Sequence, residues 1–309
     1  MHDHLSRSRN NGFAADVLDR NAELRENPDW QSSALADEDS LFVPVSGDQN
    51  LFLPHESMRA WLLQRADVPA AVIVAGECIY LGHRDGRSVF ALGLNDDCIA
   101  FRDSLAARGQ FADLWRIGTL LNETEATILA YARGMCLWHQ RHPFCSQCGA
   151  GTDTIRAGHA RQCRDLSCGT LSFPRTDPAV IVLVGDRERC LLGRQARWPA
   201  GMYSTIAGFV EPGESLEQAV VREVLEETGI AISQVFYHSS QPWPFPSSIM
   251  LGFTASATGR DIKLGSELED AQWFDRSTVE HALAEQGKLR VPPSHSIAHQ
   301  LIRHWLNER

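Results

Sequence analysis

No stretch of this 309-residue chain approaches the roughly 20 consecutive apolar residues that a membrane-spanning helix requires. Its first twenty residues, MHDHLSRSRNNGFAADVLDR, lack the continuous apolar core of an export leader. Its last four, Leu-Asn-Glu-Arg, form no recognisable sorting signal. The expectation is a cytoplasmic protein with no membrane partner. Excess basic charge is missing too: the formal net charge of −10 argues against a broad electrostatic footprint on nucleic acid, although a local basic groove is compatible with it. There is no internal repeat, no low-complexity tract and no motif for a nucleophilic side chain, so a covalent intermediate is not expected. What is present is ordinary for a globular protein, 43% apolar and 22% charged residues, in a length that suits two domains and a sizeable core.

Eight cysteines without an export leader point to metal binding or buried thiols rather than to a disulfide framework. Cys78, Cys98, Cys136 and Cys190 stand singly and read as small core residues. The other four form Cys145-x2-Cys148-x14-Cys163-x4-Cys168, two pairs flanking a short strand-like segment. That spacing matches a zinc ribbon, in which one tetrahedral Zn²⁺ is held by four thiolates. Four protein ligands leave no open coordination position, so this zinc is expected to be structural. The competing reading is four reduced structural cysteines, and the wide second pair raises the question of site geometry.

Around the ribbon the chain divides into an irregular segment over 1–40 with one short helix, an N-terminal α+β domain over 41–140, the ribbon over 141–175, and a final domain over 176–309. Ala70 to Tyr80 reads as an apolar, β-branched strand, Arg84-Asp85-Gly86 as a turn and Ser88 to Leu92 as a strand. Asn122 with Glu125 signals the start of a helix that runs to about His139, with Ile128, Leu129, Met135 and Leu137 packed inside. In the last domain Pro178 to Val184 is a nearly continuous apolar run, the pattern of a strand buried on both faces. Strands are also expected at Cys190 to Leu192, Ile249 to Ala255 and Ala271 to Phe274, and an amphipathic helix at Ser294 to Leu306. Together these imply an α/β/α sandwich built on a mixed sheet.

The most informative stretch is 208–230, GFVEPGESLEQAVVREVLEETGI. Ser215 with Gln218 is a capping-box signature, Gly229 suits a left-handed position past the helix end, and Val220, Val221, Val224 and Leu225 supply an apolar stripe. Glu223, Glu226 and Glu227 lie at i, i+3 and i+4, so the three carboxylates are expected on one face. Three like charges in one turn destabilise a bare helix. The cluster makes sense if hard divalent cations neutralise it, because Mg²⁺ and Mn²⁺ prefer carboxylate oxygens and usually hold substrate phosphates as well. The bland alternative is a solvated acidic face. Gly208, Glu214 and Arg222 at fixed intervals from the glutamates weigh against it.

Downstream, Ser240 to Ser248 reads SQPWPFPSS. Three prolines interleaved with Trp243 and Phe245 are expected to form a stiff loop whose rings stack on planar bases, while Gln241, Ser247 and Ser248 hydrogen-bond polar edges. The competing reading is a polyproline segment that packs two aromatics into the core.

The stretch at 208–230 matches GX5EX7REUXEEXGU (U apolar) at every defined position and so resembles the box of the Nudix hydrolases. With SQPWPFPSS and the four-cysteine ribbon, it is similar to the NADH pyrophosphatase family. The likeness is specific from about Phe144 onward and only architectural before it. It implies hydrolysis of the diphosphate bond of NADH or NAD⁺ to nicotinamide mononucleotide and AMP, and a second activity in removing NAD-type caps from RNA. It implies that Glu223 and Glu227 bind two or three Mg²⁺ or Mn²⁺ ions, with Glu226 adjacent, Glu267 completing the site and the Ala207 carbonyl contributing. Glu227 or Glu226 would position or deprotonate water, and Arg222 would orient the glutamates by ion pairing. Substrate would be met by Phe173, by Gln241, Pro242, Trp243, Pro244, Phe245, Pro246, Ser247 and Ser248, and by the backbone at Ala298. The likeness also implies a homodimer. The rivals are a Nudix hydrolase of ADP-ribose or dinucleoside polyphosphates and, from another class, a zinc-ribbon regulator with dead chemistry. The four glutamates speak against the second.

Overall fold

The computed structural model describes residues 4–54 and 58–308; residues 1–3, within the expected N-terminal segment, and 55–57, within the expected N-terminal domain, lie outside them, as does residue 309. The chain forms two compact units, one of Met1–Ala14, Asp177–Trp243 and Ser248–Arg309, the other of Ala15–Thr176 and Pro244–Ser247. Among the described residues no helix is long and apolar enough to cross a membrane.

The chain opens with α1 (His4–Arg9), which belongs to the first unit. The second unit begins with a 3-10 turn at Ala22–Glu26 and α2 (Pro28–Ala36). Asn27 caps α2 by accepting from the Trp30 N–H at 3.0 Å, with Pro28 at the first helical position, where a missing N–H is harmless. The first forty residues are therefore more helical than the sequence suggested. A mixed sheet follows, built from β1 (Leu41–Ser46), β2 (Gln49–Phe52), β3 (Leu63–Gln64), β4 (Glu77–Arg84), β5 (Arg87–Leu94) and β6 (Gln110–Asp113). Its order is β4-β5-β1-β2-β6, with β3 also paired to β1.

Asp85 and Gly86, at φ of 50° and 78°, make the two-residue hairpin turn between β4 and β5. The expected strand at Ala70 to Tyr80 is divided: Ala70–Ala75 is α3, and only the remainder enters β4. Pro69 starts the helix by presenting its carbonyl to the Val72 N–H. At Gly76 a Cβ would lie 2.8 Å from the Val72 carbonyl, so glycine permits the tight exit into the strand. Val72 is buried while Val74 is 87% exposed, so only one helical face of this β-branched run is used.

After α4 (Ile99–Ala106) and the single turn α5 (Leu114–Ile117) comes α6 (Glu123–Arg141). The Asn122 side chain caps α6 through the Glu125 N–H at 2.9 Å, as its sequence signature indicated. It is buried on most sides, Ile128, Leu129, Met135 and Leu137 included, and packs on β1, β4 and β5. The ribbon adds a three-stranded antiparallel sheet of β7 (Thr152–Ile155), β8 (Ala160–Cys163) and β9 (Leu171–Ser172).

The first unit is organised by β10 (Asp177–Gly185). The other strands of its sheet are β11 (Arg189–Arg194), β12 (Ile206–Phe209), β13 (Ile232–Trp243), β14 (Ser248–Ala257) and β15 (Asp270–Asp275), in the order β13-β14-β10-β11-β15 with β12 also on β10. β10 and β14 are parallel and the other pairings antiparallel, so the sheet is mixed. Side-chain alternation along β10 explains its continuous apolar run. Val180, Val182 and Val184 face α7 (Leu216–Thr228) and pack with Val220 and Val224, whereas Ile181 and Leu183 face α8 (Arg276–Leu283) and α9 (Ile297–Asn307). Each fully buried side chain of this kind contributes roughly 1.5–3 kcal/mol. A helix thus covers each face of the sheet, which is the expected sandwich.

Candidate active site

The helix α7 is delimited by local chemistry. Ser215 Oγ accepts from the Gln218 N–H at 3.2 Å, Gln218 Oε1 accepts from the Ser215 N–H at 2.8 Å, and Gly229 closes the helix at φ of +70°. The three carboxylates do not share one environment. Glu223 and Glu227 are buried (9% and 5% exposed), whereas the Glu226 side chain is 60% exposed. Glu223 turns toward β12, Glu227 is enclosed and Glu226 faces solvent. Gly208 on β12 makes room for Glu223, since a Cβ there would lie 1.9 Å from the carboxyl carbon.

Arg222 organises these groups. Its guanidinium grips Glu214 at 2.6 and 3.1 Å, reaches Glu223 at 2.9 Å and Glu226 at 3.1 Å, and donates to the Phe209 carbonyl at 2.9 Å. The Arg222 hydrogen bonds, with the Glu211 N–H, hold the Glu214 carboxyl below its usual range, and those glutamates raise the arginine further. Burial pushes Glu223 up, partly offset by Arg222. Glu227 has no such offset: burial, then the charges of Glu223, Glu267 and Glu226, raise it to about 8. Glu267, exposed ahead of β15, therefore lies close enough to act on both buried carboxylates. The segment before it closes on the C-terminus of α7, where the Lys263 and Gly265 N–H groups donate to the Thr228 and Glu227 carbonyls.

Two buried, mutually repelling carboxylates with two more acids nearby form an all-oxygen donor set suited to a hard divalent cation, and the side-chain-free cradle at Gly208 preserves their position. The glutamate oxygens are not gathered as tightly as the cysteine sulfurs, which among the described residues form the one group with ligand atoms all within 4.8 Å. Ala207, beside Gly208, pairs with Ile181 in the sheet.

The four sulfurs fit zinc. Cys145 and Cys168 lie 3.8 Å apart and Cys148 and Cys163 3.4 Å apart, close to the roughly 3.8 Å between thiolates on a tetrahedral ion with bonds of about 2.3 Å. The wide second spacing has a simple structural form. In the first knuckle the Gly149 N–H donates to the Cys145 carbonyl; in the second the Gly169 N–H donates to the Asp165 carbonyl. Asp165 thus occupies the turn position that Cys145 holds in the first, and Cys163 supplies its sulfur from the end of β8. N–H groups of Cys148 and Gln147 hold the Cys145 thiol down at about 6. Hydrogen bonds from Thr170 lower Cys168, while burial pushes Cys163 up to about 12.

The SQPWPFPSS segment is less of a loop than expected. Residues through Trp243 complete β13, Ser248 starts β14, and the turn is confined to Pro244–Ser247. Gln241 is fully buried. Its amide nitrogen donates to the Gly12 and His295 carbonyls at 2.9 and 2.6 Å, and its oxygen accepts from the Ile297 N–H at 2.8 Å. That amide braces the protein, so it is not a free reader of a base edge. Pro242 is exposed, Trp243 half-buried and Ser248 buried. Ala298 is buried in the first turn of α9, and its N–H donates to Ser296 Oγ at 3.2 Å.

In the other unit Pro244 is buried, Phe245 and Ser247 are half-buried and Pro246 is exposed. Arg133, which the sequence did not single out, is 5% exposed, donates to the Pro244 carbonyl and lies over the Phe245 ring at 4.8 Å. Its signal in the sequence was only a charged residue within a buried helix. Phe173 is 50% exposed just after β9, with the Arg156 guanidinium 5.7 Å from its ring.

Comparison with known proteins accounts for this combination. Residues 174–293 match the NUDIX domain, 140–173 the NADH pyrophosphatase zinc ribbon domain, and 36–138 the NADH pyrophosphatase-like rudimentary NUDIX domain. NAD-capped RNA hydrolase NUDT12 of Macaca fascicularis is 36% identical across 96% of this chain and 73% of its own length. NAD-capped RNA hydrolase NudC of Mycobacterium bovis is 40% identical across 74% of this chain and 75% of its own. NAD(P)H pyrophosphatase NUDT13 of Homo sapiens, a mitochondrial protein, is 37% identical across 65% of this chain and 61% of its own. With a buried glutamate pair on the box helix, a four-cysteine ribbon and near full-length similarity, the chain belongs to the NADH pyrophosphatase family of Nudix hydrolases.

Proposed function

We propose that the protein hydrolyses the diphosphate bond of NADH and NAD⁺, releasing AMP and nicotinamide mononucleotide. The observation that carries this reading is the buried Glu223–Glu227 pair on the box helix, with Glu223 seated against Gly208 and held by Arg222. Glu223, Glu227, Glu226 and Glu267 would hold Mg²⁺ or Mn²⁺, with the Ala207 carbonyl as a further ligand. Held there, such cations would supply neutralisation of charge on the diphosphate and a lowered pKa for a water.

The protein's own groups do the rest. Arg222 keeps Glu223 oriented and leaves Glu227 as the least compensated carboxylate. Glu227 or Glu226 would position or deprotonate that water, Glu227 from its buried place and Glu226 from the exposed side, where it is paired to Arg222. Trp243 would offer a ring for stacking on a base, and the backbone near Ala298 would border the nucleotide. The four-cysteine site would hold one structural zinc. The protein would act as a homodimer.

A second reading, removal of NAD caps from RNA, is favoured by the names of two relatives, which are NAD-capped RNA hydrolases. It uses the same site, and the net charge of −10 favours the small dinucleotide. Equal concentrations of NADH, NAD⁺, ADP-ribose, a diadenosine polyphosphate and NAD-capped RNA, each with Mg²⁺ and with Mn²⁺, would rank these substrates by initial rate. Fastest release of AMP from NADH or NAD⁺ is expected. No nucleoside monophosphate from any of them would overturn the assignment.

A further inference from the structure

Residues 8–13 are fastened to the segments that flank the substrate-side hairpin. Ser8 Oγ accepts from the Ser240 N–H at 3.1 Å. Asn11 is 2% exposed, and its amide donates to Ser239 Oγ at 3.2 Å and to the Ser240 carbonyl at 2.8 Å. The Gly12 N–H donates to the His295 carbonyl at 2.9 Å, and the Gly12 carbonyl accepts from Gln241. A Cβ at Gly12 would lie 2.7 Å from the His295 oxygen, so any side chain would force these segments apart.

Phe13, 3% exposed, holds φ of +67°, an unfavourable conformation for a bulky residue. Its ring meets Trp243 edge-on at 6.3 Å and His295 edge-on at 5.7 Å. Such a conformation persists only where the surroundings over-determine it. Here Trp243 and His295 belong to the two segments that Gln241 ties together through His295 and Ile297.

We propose that Asn11, Gly12 and Phe13 are positioning residues for substrate binding. They pin Gln241–Trp243 to the turn at His295–Ala298 and so preset the surface that receives the nucleotide. The inference rests on the reading above that these two segments border the dinucleotide. None of the three residues touches substrate; they act by lowering the ordering cost of those that do.

The test uses full-length wild-type protein, Phe13→Gly and Asn11→Ala. Phe13→Gly removes the ring but suits a left-handed backbone, and Asn11→Ala is a milder change should the first fail to fold. Amide hydrogen exchange and steady-state NADH hydrolysis are measured in parallel. Exchange over 241–243 and 295–298 should rise about tenfold, with 216–228 within about twofold of wild type. KM for NADH should rise about tenfold with kcat within about threefold, and Mn²⁺ affinity measured by electron paramagnetic resonance should be unchanged. Unchanged exchange in the two segments, a fall in kcat at constant KM, or a uniform rise in exchange across the sheet would overturn the proposal. If wild type releases no AMP from NADH the functional reading fails separately, and the exchange data alone decide whether the arm pins these segments.

Discussion

Gly208 and Glu223 approach so closely that a Cβ on the glycine would stand 1.9 Å from the carboxyl carbon of the glutamate. Strand β12 and helix α7 therefore meet at a distance that a hydrogen atom allows and a methyl group does not. The helix presents the carboxylate, and the strand decides where it rests.

Gly208→Ala should displace Glu223 and leave the sheet register intact, because only one side chain is added at a helix-facing position of β12. A shift of about 1 Å in such a group costs on the order of 10²-fold in rate. We expect kcat to fall by about that factor and Mn²⁺ affinity to weaken, with circular dichroism unchanged. Wild-type kcat in a folded variant would refute this packing account.

Arg222→Lys should be damaging despite keeping the charge. Lysine cannot span Glu214, Glu223, Glu226 and the Phe209 carbonyl together, contacts that the guanidinium makes at 2.6 to 3.1 Å. The site is partly buried, so a loss of about 1–3 kcal/mol in unfolding free energy is expected, measurable by urea denaturation. The magnesium dependence of turnover should shift to higher concentration as Glu223 loses its anchor.

The Glu227 carboxyl is raised to about 8, above the roughly 4.3 of an unfolded glutamate. Between those values the folded chelated protein binds more protons at this group than the unfolded chain does. Its contribution to stability is thus fully present below about pH 4 and is lost as pH rises through about 8. Thermal melts of chelated wild type should show a loss on the order of a few kcal/mol from pH 5 to 9 that Glu227→Gln lacks. The same variant should keep its fold and lose most turnover. A pH-independent difference between the two proteins would count against the burial of this carboxylate.

Purified protein should carry one zinc per chain, with four thiolate ligands by X-ray absorption. Cys163→Ser should release the zinc and loosen β7 to β9. Asp165→Ala should retain it with weaker binding, because the Asp165 side chain closes the second knuckle through the Ser167 N–H and hydroxyl at 2.9 and 2.7 Å. Equal zinc loss in both variants would mean that the aspartate does more than shape the turn.

Features encoded by near neighbours are legible in the sequence alone. Ser215 with Gln218, Asn122 with Glu125, Gly229 at the helix end and the spacing within each cysteine pair all depend on residues a few positions apart. The uninterrupted apolar run of β10 was equally plain, because burial on both faces leaves no polar position. Ala70 to Ala75 misled, since β-branched residues favour a strand intrinsically while Pro69 and Gly76 provide helix ends that packing then exploits.

The sequence by itself determined the capped helix, the acids on it, the ribbon and the family, because each is a short-range pattern with a chemical purpose. Only the tertiary structure separated the buried Glu223 and Glu227 from the exposed Glu226, since all three have the same helical spacing and only β12 and the Glu267 segment distinguish their surroundings. Only the tertiary structure, too, showed that the Gln241 amide is engaged by Gly12, His295 and Ile297, and gave Phe13 its place. Those roles depend on residues 12, 241 and 295 meeting, and proximity across 54 or 229 positions leaves no local pattern to read.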